Sequence, residues 1–123
     1  MKLHLSKTDG LYTFSGYGEG YVLVNGIRHE NNVLVTPTRL TPGWTGHDFD
    51  ALTAEDFELL AATDAEIVIL GTGNALRFPH PRLTQSLLAA RRGLEVMDAQ
   101  AACRTYNILA AEDRKVACAL LLP

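Results

Sequence analysis

The chain has 123 residues, of which 47% are hydrophobic and 20% charged, with a formal net charge of -3. That length suits one domain able to bury its own core, and the composition excludes a disordered, highly charged chain. The acidic balance argues against nucleic-acid binding driven by a strong positive field.

Taken in order, Leu3 and Leu5 alternate with Lys2, His4 and Ser6, and Tyr12 alternates with Phe14, a period of two that predicts short strands. Tyr21 to Val24 is rich in β-formers. Asn25-Gly26 supplies two residues able to take positive φ, so Ile27 to His29 is expected to return beside that strand as a hairpin. Asn31-Asn32 turns the chain into Val33 to Thr36, ended by Pro37, and these strands read together as one antiparallel meander. Thr41 to Asp50 reads as a connector, with the sole tryptophan, Trp44, expected to cap the core.

A helix follows. Thr53 fits its N-cap, Asp56 lies three residues on, and Leu52 and Phe57 occupy the two positions of a hydrophobic staple, with Phe57, Leu60 and Ala61 facing inward. Glu66 to Leu70 is an apolar run suited to a strand covered on both faces. After Pro81 the pattern predicts a second helix, with Leu83, Leu87 and Leu88 on one side, Arg91 and Arg92 in its last turn and Gly93 just beyond. Leu94 to Met97 is the next strand. Asp98 can cap a third helix with apolar positions Ala101, Ala102, Thr105, Ile108 and Leu109, and Val116 to Leu122 is the last strand.

Strands joined by helices of this length require parallel crossovers, so the carboxyl half is expected to form a βαβαβ unit. A β-rich amino-terminal half must pack on it, because no flexible linker separates them and neither half holds a sufficient core alone. The expected architecture is a single compact α/β domain over residues 1–123, in three layers, with a parallel or mixed sheet.

Ligands of open parallel sheets gather at the carboxyl ends of the strands. Gly71, Thr72, Gly73 and Asn74 lie there after the first core strand, with Arg77 a few residues along the same loop, and Asp98 follows the second. Glycines allow close backbone approach, loop and helix termini expose N–H groups, and a guanidinium adds paired hydrogen bonds, so a small anionic ligand is the occupant this crevice favours. The loop lacks the third glycine of a dinucleotide fingerprint and the Lys of a phosphate loop, and Asp98 would repel an anion unless it caps its helix. Arg104 and Asn107 add polar groups to the third helix: Arg104 could pair with a carboxylate, and Asn107 could satisfy loop main chain.

The rest of the polar inventory points away from catalysis. Cys103 sits mid-helix with no adjacent histidine, and Ser15 and Ser86 lack a nucleophile-elbow setting. His47, Asp48 and Asp50, with His29 or Glu30, would have to converge to hold a metal, and a solvated loop is the expected reading. His80, between two prolines, is a lone histidine that could face the crevice. No catalytic residue, cofactor or metal is therefore assigned.

The segments Ile69 to Gly73, Leu76-Arg77-Phe78-Pro79, Gly93 to Asp98 and Ala101 to Leu109, with Val33 to Pro37 and Trp44 upstream, resemble the Mth-type uncharacterised domain family. That family includes the mitochondrial complex I assembly factor of the NDUFAF type and an adipogenesis-associated domain protein. The resemblance implies a three-layer α/β fold and no established enzyme activity. It also implies a non-enzymatic interaction or assembly role with a protein partner, in respiratory or membrane-complex assembly. A small-molecule site at the Gly71 to Arg77 crevice is the alternative. One departure is Glu112-Asp113, where family members often carry glycine after the glutamate, so the turn here must use Asp113.

Two cysteines make no disulfide framework, the amino terminus has no h-region, and the longest apolar run, Val116 to Leu122, is far below the roughly 20 residues that span a bilayer. The sequence thus predicts a cytoplasmic protein that is not integral to a membrane.

Overall fold

A computed structural model describes residues 10–123 of the chain. The strand expected around Leu3 and Leu5 lies outside the described residues. The first three strands, β1 (Phe14–Gly18), β2 (Tyr21–Val24) and β3 (Ile27–His29), form a small antiparallel sheet in the order β1-β2-β3. Asn25 and Gly26 take φ of 50° and 80°, as the tight hairpin between β2 and β3 requires. Ser15 is bulged out of the β1 and β2 register, and its hydroxyl accepts the Gly26 N–H at 2.8 Å.

β4 (Val33–Thr36) corrects the meander expected from the sequence. It leaves the small sheet and joins a second, five-stranded one, between β5 (Arg39–Pro42) and β8 (Val116–Leu121). The reason is burial: Val33, Leu34 and Val35 are all covered, which needs protein on both faces, whereas β3 exposes Ile27 and Arg28. β5 itself lies partly in what reads from sequence as a connector.

The large sheet has the order β5-β4-β8-β6-β7, with β6 (Ile67–Thr72) pairing in parallel with both β7 (Gly93–Met97) and β8, and β4 running antiparallel to β8. It is a mixed sheet whose parallel part is the expected βαβαβ unit. Successive residues of its strands feed two separate cores. Val35, Ile69, Cys118 and Leu120 pack with the small sheet and α3 (Ala99–Ala111), while Leu34, Val68, Leu70 and Ala119 pack with α1 (Ala54–Ala61) and Leu87 of α2 (Gln85–Ala89). The two crossovers therefore cover opposite faces, giving three layers.

α1 begins as its sequence dictates. The Thr53 side chain accepts the Asp56 N–H, the Asp56 side chain accepts the Thr53 N–H, and Leu52 and Phe57 are buried around that capping box. The second helix is shorter than expected. Pro81–Leu83 forms a 3-10 turn, α2 follows for five residues, Leu88 is 79% exposed, and the left-handed residue beyond the helix is Arg91 at φ 58°, with Gly93 already in β7. α3 is turned relative to the face read from its alanines. Its buried side is Ala99, Ala102, Cys103, Tyr106, Asn107 and Ala110, and Ile108 is exposed. After α3 the chain turns through Asp113 at φ 61°, as the missing glycine demanded.

Candidate functional site

The loop leaving β6 is shaped by Thr72, which is buried at the end of that strand. Its hydroxyl donates to the Ala75 carbonyl at 2.6 Å and accepts the Arg77 N–H at 3.3 Å, folding the intervening residues into a turn that Gly73 enters at φ 80°. The Gly73 carbonyl accepts the Ala99 N–H at 2.8 Å, which fastens this turn to the start of α3. Asp98 caps the same helix, accepting the Ala101 N–H at 2.9 Å.

A second wall comes from the segment between β5 and α1. Asn32 fixes it: its amide donates to the Thr45 and His47 carbonyls, and its oxygen accepts the Leu122 N–H at 3.0 Å. Trp44 anchors the segment from below, buried in the α1 core with its Nε1 donating to the Leu120 carbonyl at 3.2 Å, so it caps the core as expected. His47 Nδ1 lies 2.8 Å from Asp56 Oδ2, the same oxygen that accepts the Thr53 N–H at 2.9 Å. Burial pushes the Asp56 carboxyl up, but hydrogen bonds from Thr53, His47 and Thr45 outweigh it and leave its pKa below the ordinary value. Asp56 is therefore a firm carboxylate, and as an acceptor-only group it fixes the proton of a neutral His47 on Nδ1.

Between these walls, at the carboxyl ends of β6 and β8, lies an open cleft of about 480 Å³. Thr72, Gly73, Asn74 and Arg77 line it, together with His47 and Phe49. The Arg77 guanidinium sits 4.6 Å from the centre of the Phe49 ring and 3.5 Å from Asp50 Oδ2. Four of the seven residues proposed from sequence thus meet at one cavity. Asp98 caps α3 beside it.

Gly71 and Asn107 sit in packing. A Cβ on Gly71 would come within 2.5 Å of Leu120 Cδ1 and 2.9 Å of Ala102 Cβ, so glycine there serves the approach of α3 to the sheet. Asn107 is buried between α3 and β1, where its oxygen accepts the Phe14 N–H at 3.0 Å and its amide donates to the Phe14 carbonyl at 2.8 Å. It satisfies main chain, of a strand rather than a loop. His47 and Phe49 are cleft residues that the site reading missed; the partner that fixes His47, Asp56, is nine positions away and carried no signal beyond the capping box.

The remaining polar candidates are engaged locally. Arg104 donates to the Tyr17 hydroxyl at 3.4 Å, and among the described residues it pairs with no carboxylate. His80 Nδ1 accepts the Arg82 N–H, capping the 3-10 turn. Asp48 accepts the Ala51 N–H, and among the described residues no three metal-ligating side chains converge. Burial pushes the Cys103 thiol up to about 12, against a small opposing effect of Arg104, which keeps it protonated and unreactive. Both cysteines are free and buried, and among the described residues no helix is long and apolar enough to cross a membrane.

Known proteins resemble this chain in sequence and fold. The chain is 25% identical over 122 residues to the "13 kDa major membrane protein" of Francisella tularensis, covering 98% of this chain and 99% of that one. It is 28% identical over 127 residues to a Drosophila melanogaster protein, NADH dehydrogenase (ubiquinone) 1 alpha subcomplex assembly factor 3, covering 96% of this chain but spanning 62% of that longer protein. A solved Bordetella pertussis structure described as a Mth938-like domain superposes with a TM-score of 0.81 at 32% identity, covering 98% of this chain and 92% of that one. The profile of the family described as "Protein of unknown function (DUF498/DUF598)" matches residues 14–121, and the chain belongs to that family, with the Mth938-type fold.

Proposed function

We propose that this chain is a non-enzymatic interaction or assembly protein, a single domain over residues 1–123, that docks on a protein partner through the loop between β6 and α2. The observation behind this reading is the exposure of Phe78, at 70%, and of Leu76, at 52%, on a segment held at both ends. Thr72 fixes its start, and Pro79, His80 and Pro81 stiffen its end. Large apolar side chains presented on a stiff loop lose little freedom on association. The assembly-factor name of the fly relative supports the same class, and by that analogy the partner is a subunit of a respiratory or other membrane complex. Two free buried cysteines support a reducing, cytoplasmic setting, and the net charge of -3 is why nucleic acid is not among the proposed partners.

Affinity capture of the tagged full chain from native extract, followed by size analysis, tests the proposal. A respiratory or membrane-complex subunit is expected to co-purify, and Phe78→Ser to weaken that association by about tenfold, roughly 1.4 kcal/mol, without changing Tm. Equal recovery by the wild type and by a Leu76→Ser, Phe78→Ser double variant, or a chain found only as free monomer at every growth stage, would sink it.

A further inference from the structure

The cleft beside that loop has features that docking through Phe78 does not use. Arg77 and His47 reach it from two separate segments, and its volume of about 480 Å³ is that of a small-molecule site. Of the carboxylates around it, which include Asp48 in its lining, all but one accept a backbone N–H. Asp48 is bound to the Ala51 N–H at 3.1 Å, Asp98 to the Ala101 N–H, and Asp56 to Thr53 and His47. The exception is Asp50, which meets Arg77 only at 3.5 Å, with the two side chains 82% and 46% exposed. A pair that long and that wet is screened and easily exchanged.

We propose that the cleft binds a small molecule through an oxyanion head group, a phosphate or a carboxylate, which takes the place of Asp50 on Arg77 and meets His47 Nε2. Phe49, under the guanidinium, holds Arg77 toward the cleft while leaving its N–H fork free to pair with two oxygens. Asp56 holds His47 through Nδ1, so Nε2 is the nitrogen left for the ligand. A neutral ring accepts a hydrogen bond there from a protonated head-group oxygen, and a charged ring donates one. Leu121 and Leu122 supply an apolar lining against which the rest of the molecule can lie.

NMR titration of the full chain with inorganic phosphate, and separately with acetate, tests this assignment. Saturable shifts of the His47 imidazole and the Arg77 guanidinium are expected, stronger for the anion whose geometry the site fits, which distinguishes a phosphate head group from a carboxylate. Arg77→Ala is expected to weaken the better anion by about tenfold. Asp50→Asn, which removes the competing carboxylate, is expected to tighten it by about threefold. Unchanged thermal melts for both exposed-site variants separate loss of the site from loss of the fold. No saturable shift with either anion, or an Asp50→Asn variant that binds no more tightly than wild type, overturns the proposal.

Discussion

Gly71 and Asn107 show how one residue can resemble part of a site and be part of the scaffold. Gly71 directly precedes Thr72 and Gly73 of the cleft, and Asn107 lies on the helix that Asp98 caps, yet each sits in packing. Gly71→Ala must push Leu120 and Ala102 aside, and a loss of about 1 to 3 kcal/mol in urea denaturation is expected. Asn107→Ala strips both partners from the buried Phe14 main chain, and a loss of roughly 2 to 4 kcal/mol is expected. If Asn107→Ala proved neutral, these two bonds would not hold β1 to α3. Both residues stood out in the sequence for their chemistry. Which way Asn107 points depends on the turn of α3 about its own axis, and its evenly spread alanines left that rotation poorly defined; Gly71 is set by how closely that helix approaches β6.

At the level of elements, the capping box of α1 does two things. Thr53 and Asp56 close the helix start, and the same Asp56 oxygen orients His47 at the cleft. Thr53→Ala is expected to cost about 1 kcal/mol in thermal or urea unfolding and also to loosen His47, visible as a change in its imidazole NMR signals. A stability loss with unaltered His47 signals would uncouple cap and cleft. α1 was legible because its signals are local: cap, staple and inner stripe fall within a few residues. α2 was not. Leu88 repeats the helical spacing of Leu83 and Leu87, but the chain must drop through Arg91 to bring Gly93 alongside Ile67 of β6, and this ends the helix after five residues.

At the scale of the molecule, two apolar cores on either side of the five-stranded sheet keep reactive groups out of water. Cys103 and Cys118 lie in the same core, and alkylation by iodoacetamide is expected to follow global unfolding, with native labelling suppressed in proportion to stability. Fast labelling of the native chain would reveal local opening of α3. Acid sensitivity is set partly at the cap of α1. Because the Asp56 pKa is lower in the folded chain than its ordinary value of 3.8, its contribution is complete above that range and disappears as pH falls through the folded value. The stabilities of wild type and Asp56→Asn are expected to differ near neutrality and to converge in acid. A gap that stays constant with pH would remove Asp56 from the acid response.

By itself the sequence determined the hairpin at Asn25-Gly26, the start of α1, the parallel carboxyl unit and the place where the chain keeps a cleft. All of these rest on neighbours within a turn, or on runs of apolar residues whose period names the element. Only the tertiary structure decided that β4 belongs to the second sheet and that Arg77 shares the cleft with His47. It also decided that Gly71 and Asn107 are held in packing. Those outcomes turn on which surface covers which, and Val33, Leu34 and Val35 read the same beside β3 or beside β8 until both faces must be buried.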